Sequence, residues 1–294
     1  MDIRAKVREW LLDDLGSAPF QMETKNDPLC EAEIRAKSEG ILAGSLFLGI
    51  IFDETQRLLA LDRPEPAEWR WEKKDGDALA PGDLVATVRG HAQVLLKTER
   101  TALNILSYTS EIATHTARVM RELGDPPESF AGVLDTRKGR PGLMYFEKYA
   151  VRIGGGKNHR LGMFDGDLIK DNDIAVAGSI RAAIDAQWGK RYMVDIQIEV
   201  QSFEQLDEVM DDGRVHMVLL DNMDAATLRD AVARARGRGT ASRTGKRYVL
   251  EASGIKGAEL GEIARTGVDY LSTSSLVRSA PPLDFNMKIV RVPD

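Results

Sequence analysis

The sequence predicts an α/β protein, with an α+β unit over its first third and an array of βα units closed in barrel fashion over the rest. Three observations lead there. Beyond Gly124-Asp125-Pro126-Pro127, segments of strand length alternate with helical ones, the pattern of a parallel sheet with right-handed crossovers. Over this length a barrel-like closure is favoured over a flat sheet. Lys170, Glu199, Asp221, Glu251 and Ser274 each fall at or just past the C-terminal end of a predicted strand, and in a βα barrel those positions share one mouth.

The first segment, MDIRAKVREWLLDDL, reads as an amphipathic charged helix and not as a signal peptide. Cys30 to Lys37 alternates in strand fashion, and the apolar run Ile41 to Phe52 reads as buried core, too short and glycine-broken for a membrane span. Pro64 and Pro66 punctuate the chain. Trp69-Arg70-Trp71 and the turn-rich Lys74 to Asp83 then lead into a strand at Leu84 to Val88. A long helix is predicted from Thr98, with Leu103, Leu106, Ala113, Ala117 and Met120 on one face, ending before Gly124. Strands are predicted at Tyr149 to Ile153, Asp167 to Lys170, Tyr192 to Val200, His216 to Leu220, Tyr248 to Ala252 and Val268 to Ser272. Helices are predicted at Ala175 to Gln187, Phe203 to Met210, Ala225 to Arg236 and Glu259 to Arg265.

Composition narrows the function. With 294 residues, 43% hydrophobic and 29% charged, the chain can bury a sizeable core in one or two domains. A net charge of -6 argues against general nucleic-acid binding, which needs a broad basic face. The Arg-Gly stretch Arg234 to Arg247 is accordingly read as a solvated helix-to-strand loop. One cysteine, Cys30, excludes an internal disulfide and a cysteine-based zinc site and suits a reducing cytosol. The expectation is a soluble, cytoplasmic protein with small-molecule partners, neither nucleic acid nor membrane.

The chemistry concentrates between Val133 and Ile174. Arg137, Lys138, Arg140, Arg152, Lys157, His159, Arg160 and Lys170 lie there among glycines in an acidic protein. A Gly154-Gly155-Gly156 run is expected to bring backbone close to whatever those cations hold. Arginine suits bidentate capture of carboxylate or phosphate and lysine supplies a mobile charge. Arg137, Lys138, His159, Arg160 and Lys170 would thus clamp a ligand with two or more negative groups. Glu199 and Asp221 beside such an anion call for ribose hydroxyls or a divalent cation between them, and magnesium held by carboxylates and phosphates meets that need. The residues point to an enzyme handling a phosphorylated sugar and an anionic co-substrate. Taken singly, each has a plainer reading: a surface ion pair for Arg137 or Arg160, a helix cap for Asp221, a structural ring for His159.

Ordered motifs run through nearly the whole chain: RAKSEGILAG from Arg35, DGDALAPGDLVATVRG from Asp75, ERTALN from Glu99, DTRK from Asp135, Pro141-Gly142-Leu143, EKYAVRIGGGKNHRL from Glu147, LIKDN from Leu168, LLDNM from Leu219, LEASG from Leu250, and Ser279 to Pro281. In these it resembles the quinolinate phosphoribosyltransferases, a type II phosphoribosyltransferase family. The resemblance implies an N-terminal α/β sandwich domain over 1–110, completed by the tail 277–294, and an open barrel-like catalytic domain over 111–276. It implies a homodimer in which Arg100 reaches the neighbour's site. It assigns Arg137, His159, Arg160 and Lys170 to a dicarboxylate pocket, and Lys138 to the diphosphate of phosphoribosyl pyrophosphate. Glu199 and Asp221 go to ribose hydroxyls and magnesium, Ser253 and Gly254 to the 5-phosphate, and Ser274 is a further sugar-phosphate contact. The implied reaction joins a pyridine nitrogen to ribose C1, releases pyrophosphate and then loses the 2-carboxylate as carbon dioxide, a step of NAD biosynthesis.

The chain departs from the family pattern in places. DNHI becomes Asp171-Asn172-Asp173-Ile174, LEASGG continues with Ile255, and SVGAL becomes Ser272-Thr273-Ser274-Ser275-Leu276. GD-x-T is replaced after Gly16 by Ser17-Ala18-Pro19, while Gly139-Arg140 follows DTRK and Met144 follows PGL. These departures keep two alternatives open: a phosphoribosyltransferase for another aromatic or heteroaromatic acid, or an anion-binding paralogue without turnover.

Overall fold

The structure is a computed structural model describing residues 2–16, 27–59, 67–191, 193–255 and 260–292. The chain divides into two compact units. The first comprises Met1–Ala117, Arg140–Gly155 and Ser279–Asp294, the second Arg118–Gly139 and Gly156–Arg278.

The first unit is an antiparallel sheet with helices. Helix α1 (Ile3–Leu15) begins at Asp2, whose carboxylate accepts from the amides of Arg4 and Ala5. Strand β1 (Leu29–Ala36) alternates half-buried and buried positions, so Cys30, Ala32, Ile34 and Ala36 form its core face. A two-residue β2 (Gly40–Ile41) precedes α2 (Ser45–Leu58). That helix carries most of the long apolar run and buries Phe47, Leu48, Ile51 and Phe52, so the expected core segment is helical. Asp75 accepts from the amides of Gly44 and Ser45 at its N-terminus, at 3.0 and 3.1 Å. Strands β3 (Glu68–Trp71), β4 (Ala78–Leu79) and β5 (Leu84–His91) follow. Helix α3 (Ala92–Glu122) starts six residues before the expected Thr98 and stops before Gly124, as expected.

The four-stranded sheet runs β12-β1-β5-β3. Its edge strand β12 (Phe285–Arg291) comes from the chain's end and pairs antiparallel with β1 from Ala36↔Phe285. The expected strand Tyr149 to Ile153 is instead the second half of helix α4 (Met144–Ile153). Tyr-Ala-Val-Arg-Ile has strand-like composition, but Phe146, Glu147, Ala150 and Val151 are buried at i, i+1, i+4 and i+5, a helical face. Phe146 is fully buried, its ring 5.1 Å from Trp10 and 4.5 Å from Phe47. A buried phenylalanine is worth roughly 1.5–3 kcal/mol of transfer free energy, more than the local strand preference. Tertiary packing therefore decided the helix.

The second unit is a six-stranded parallel sheet in the order β6-β11-β10-β9-β8-β7. The strands are β6 (Gly132–Leu134), β7 (Asp167–Ile169), β8 (Ile196–Val200), β9 (Met217–Asp221), β10 (Val249–Ser253) and β11 (Tyr270–Ser272). This is the cyclic order of a βα barrel opened between β6 and β7. The connection across that gap passes through Arg140–Gly155, which belongs to the first unit. The other crossovers carry α5 (Asp171–Ala177) and α6 (Ile180–Gln187), then α7 (Phe203–Asp212), α8 (Ala225–Arg238) and α9 (Leu260–Ala264), and α10 (Ser275–Arg278) follows β11. The single helix expected over Ala175 to Gln187 is broken at Gly178 (φ 88), after which the Ser179 side chain caps α6. The β8 side chains are buried throughout, as in a sheet covered on both faces. Arg234, Arg236, Arg238, Lys246 and Arg247 of the Arg-Gly stretch all pair with aspartates of this unit. Ser17-Ala18-Pro19, Pro64, Pro66, Tyr192 and Glu259 lie outside the described residues. Among the described residues no helix is long and apolar enough to cross a membrane.

Candidate active site

All six parallel strands deliver side chains to one cavity of about 240 Å³, and every described residue that lines it belongs to the second unit. Thr136, Arg137 and Lys138 follow β6, Lys170 follows β7, and Glu199, Asp221, Ser253 and Ser272 lie at the ends of β8, β9, β10 and β11. His159 and Arg160 come from a loop that runs beside β6, where Lys157 bridges to Leu134 in parallel. Buried Asp135 holds that loop, accepting from the His159 amide and the Asn158 side chain, each at 2.8 Å.

Of the eight residues named above between Val133 and Ile174, five line the cavity: Arg137, Lys138, His159, Arg160 and Lys170. Arg140 and Arg152 lie in the first unit, where Arg140 sits over the Tyr108 ring at 4.5 Å and pairs with Glu111 at 3.7 Å. Lys157 packs over Tyr270. The Gly154 to Gly156 run does not line the cavity. A Cβ at Gly154 would stand 2.4 Å from the Ala113 carbonyl oxygen of α3, so this glycine serves helix packing and not the ligand approach expected of it.

Charge in the cavity is balanced at short range. Lys170 Nζ lies 3.3 Å from Glu199 Oε2. Burial pushes the Glu199 carboxyl above its usual range, Lys170 pulls it back down, and Asp221 raises it again. Burial and then neighbouring Arg137 lower the Arg160 guanidinium, whose Nη1 donates to the Gly166 carbonyl at 2.8 Å. Asp221 accepts from Gln201 Nε2 at 3.3 Å and from the Asn222 side chain. Asn222 itself adopts φ 57 and donates its amide to the Ser253 carbonyl, tying the ends of β9 and β10 together. Four cations and the His159 ring, with the carboxylates of Glu199, Asp221 and Glu251 and a left-handed Gly254, suit a ligand carrying both anionic groups and hydroxyls.

The model of the quinolinate phosphoribosyl transferase C-terminal domain matches residues 112–288, and that of its N-terminal domain matches residues 18–110. The chain belongs to the quinolinate phosphoribosyl transferase family. It is 36% identical to the probable nicotinate-nucleotide pyrophosphorylase [carboxylating] of Bacillus subtilis (strain 168), over 98% of this chain and 94% of that one. With the chloroplastic nicotinate-nucleotide pyrophosphorylase [carboxylating] of Arabidopsis thaliana it shares 33% identity over 98% of this chain and 83% of that one. Its fold is similar to the crystal structure of NadC from Streptococcus pyogenes, with a TM-score of 0.82 and 33% identity over 99% of this chain and 97% of that one.

The departures from the family's pattern find local explanations. Asp173 accepts from the Lys170 amide at 2.9 Å in the first turn of α5, so the acid that replaces a histidine caps a helix and fixes Lys170. Gly254 has φ 70, and a Cβ there would stand 2.8 Å from Asp221 Oδ1 and 2.5 Å from Asn222 Oδ1. The one position of the LEASG loop where geometry demands glycine therefore keeps it, although Ile255 follows. Ser274 is not among the cavity-lining residues, and the serine that β11 supplies is Ser272. Arg100 is an exposed residue of α3 in the first unit. Gln197, Thr136 and Asn222 were not singled out from the sequence. Gln197 sits two residues before Glu199 and so shares its face of β8, a spacing that could have found it.

Proposed function

We propose that this protein transfers the phosphoribosyl group of phosphoribosyl pyrophosphate to quinolinate with decarboxylation, giving nicotinate mononucleotide, pyrophosphate and carbon dioxide. The carrying observation is the convergence of four cations and His159 with Glu199 and Asp221 on one cavity in a member of this family. The pyridine nitrogen attacks ribose C1 as the bond from C1 to the diphosphate oxygen breaks, and pyrophosphate leaves. The bond from C2 of the ring to its carboxylate then breaks, carbon dioxide leaves, and C2 takes up a proton.

Arg137, His159, Arg160 and Lys170 hold the two carboxylates, positioning the ring nitrogen towards the sugar. Lys138 meets the diphosphate, Ser253 and Gly254 the 5-phosphate, and Ser274 stays a contact for the loop after β11. Glu199 and Asp221 accept from the ribose hydroxyls. Fixed cations stabilise the leaving pyrophosphate and the electron pair left at C2. No group of three metal-binding side chains occurs among the described residues. The paired carboxylates, both hard oxygen donors, fit a divalent cation such as magnesium. Glu199 and Asp221 would hold it, and it would neutralise diphosphate charge. We assign Arg100 to the cavity of a second copy in a homodimer, and the reaction to the cytoplasm. Because Asp173 is committed to the Lys170 amide, it does not argue for a different acid.

The test measures pyrophosphate and carbon dioxide release with quinolinate and magnesium, with nicotinate as the acid lacking the 2-carboxylate. Equal release of both products with quinolinate and little reaction with nicotinate supports the reading. Turnover with nicotinate but not quinolinate overturns it.

A further inference from the structure

Glu251 is 3% exposed in the middle of β10 and lines the cavity, yet the proposed chemistry gives it no task. Its Oε2 accepts from Gln197 Nε2 at 2.8 Å, while its buried Oε1 has no hydrogen-bond partner among the described residues. An unpaired buried carboxyl oxygen is costly. We infer that Glu251 is a positioning residue for the acid clamp, acting through Gln197 to set which nitrogen of His159 carries the proton.

The chain of donors runs one way. A carboxyl that accepts from Gln197 turns the amide nitrogen towards itself, and the amide oxygen then faces the imidazole. Gln197 Oε1 lies 3.1 Å from His159 Nε2, so that nitrogen donates. At the other side of the ring the Arg160 amide lies 2.7 Å from His159 Nδ1, so that nitrogen accepts. Both ends select the tautomer with the proton on Nε2. Glu251 Oε2 itself stands 3.5 Å from Nε2, which favours the same arrangement electrostatically. The consequence is reach: Asp135 fixes the His159 backbone, the relay fixes its ring, and the ring accepts from the backbone of Arg160, an arm of the clamp. Two members of the relay, Gln197 on β8 and Glu251 on β10, lie on the same face of the parallel sheet and not on loops, the rigid support a positioning group needs.

This rests on the cavity being the acid site, and the test separates the two ideas. Glu251→Gln and Gln197→Met are made singly and together in the full chain. The imidazole nitrogen-15 shifts of His159, assigned by their loss in His159→Gln, report the tautomer without any substrate. KM values for quinolinate and for phosphoribosyl pyrophosphate report the clamp. The wild type is expected to show the proton on Nε2, and each single variant to lose that bias. Each should raise the KM for quinolinate about tenfold, the equivalent of one hydrogen bond at ~1.4 kcal/mol, with the sugar-phosphate KM unchanged. The double variant should be no worse than Gln197→Met, because the glutamate acts through the amide. Additive effects, or a wild-type tautomer in both folded single variants, overturn the inference. Glu251→Met, which also removes the unpaired oxygen, serves if the glutamine variant folds poorly. A tautomer that responds as expected in a protein that does not bind quinolinate supports the relay and sinks only the substrate.

Discussion

Lys170 Nζ stands 3.3 Å from Glu199 Oε2 at the ends of two hydrogen-bonded parallel strands. Burial raises the Glu199 carboxyl above its usual range and the Lys170 ammonium opposes that rise. The carboxylate is the form that accepts from hydroxyls, so activity should appear as pH rises through the Glu199 value and vanish as pH falls through it. Lys170→Met should move this acid limb of kcat/KM to higher pH and lower the plateau about 10²–10³-fold, as for loss of one preorganised charge. A pH profile of the variant checks both. An acid limb that stays put would assign it to another group.

In the proposed reading Arg160 is one arm of the clamp, and its guanidinium donates to the Gly166 carbonyl. Arg160→Ala should leave the melting temperature nearly unchanged and weaken quinolinate by about 2 kcal/mol, the low end for a paired charge because the site is partly open to water. Calorimetric titration measures it. Unchanged affinity would move the acid site elsewhere.

Gly254 combines φ 70 with a Cβ position 2.8 Å from Asp221 Oδ1. Gly254→Ala should cost about 1–3 kcal/mol of stability through backbone strain and weaken phosphoribosyl pyrophosphate more than quinolinate, because Asp221 must shift. Denaturant unfolding and two binding titrations test the split. Equal loss for both ligands would point to a general collapse of the cavity.

Asp173 accepts from the Lys170 amide at the start of α5. Asp173→Ala should lower stability by about 1 kcal/mol, the usual cost of a lost cap, and reduce kcat by freeing Lys170. Asp173→Asn, which still accepts from that amide, should recover most of the loss. An asparagine variant no better than alanine would show that the charge matters and not the cap.

If Arg100 completes a neighbouring cavity, mixing inactive Arg100→Ala with inactive Lys170→Ala should restore activity in heterodimers that carry one intact site. About a quarter of wild-type activity is expected from random pairing of subunits that each supply half a site. No recovery in verified heterodimers would exclude a shared site.

Much of the site was legible because strand ends are legible. Lys170, Glu199 and Asp221 follow short apolar runs, and parallel βα topology sends all such ends to one mouth. Ser272, the serine that lines the cavity, is not distinguished from Ser274 by the sequence, because Tyr270–Ser272 ends at the first serine of a Ser-Thr-Ser-Ser run, which composition alone does not divide. Tyr149 to Ile153 was misread because its aromatic and β-branched residues favour a strand, while the i, i+4 pair Phe146 and Ala150 belongs to a helix facing a core that only the fold assembles.

The sequence by itself determined the parallel array, the order of its strands' polar ends, and four cations and one histidine of the cavity, because period, strand length and residue type are local properties. Only the tertiary structure decided that Gly154 faces α3, that Arg140 leaves the cavity for Tyr108, and that Asp173 caps Lys170. It alone joined Glu251 to His159 through Gln197, three residues far apart along the chain. Contacts of that kind depend on which strands become neighbours, and strand pairing is fixed by the burial of the whole sheet and not by any one segment.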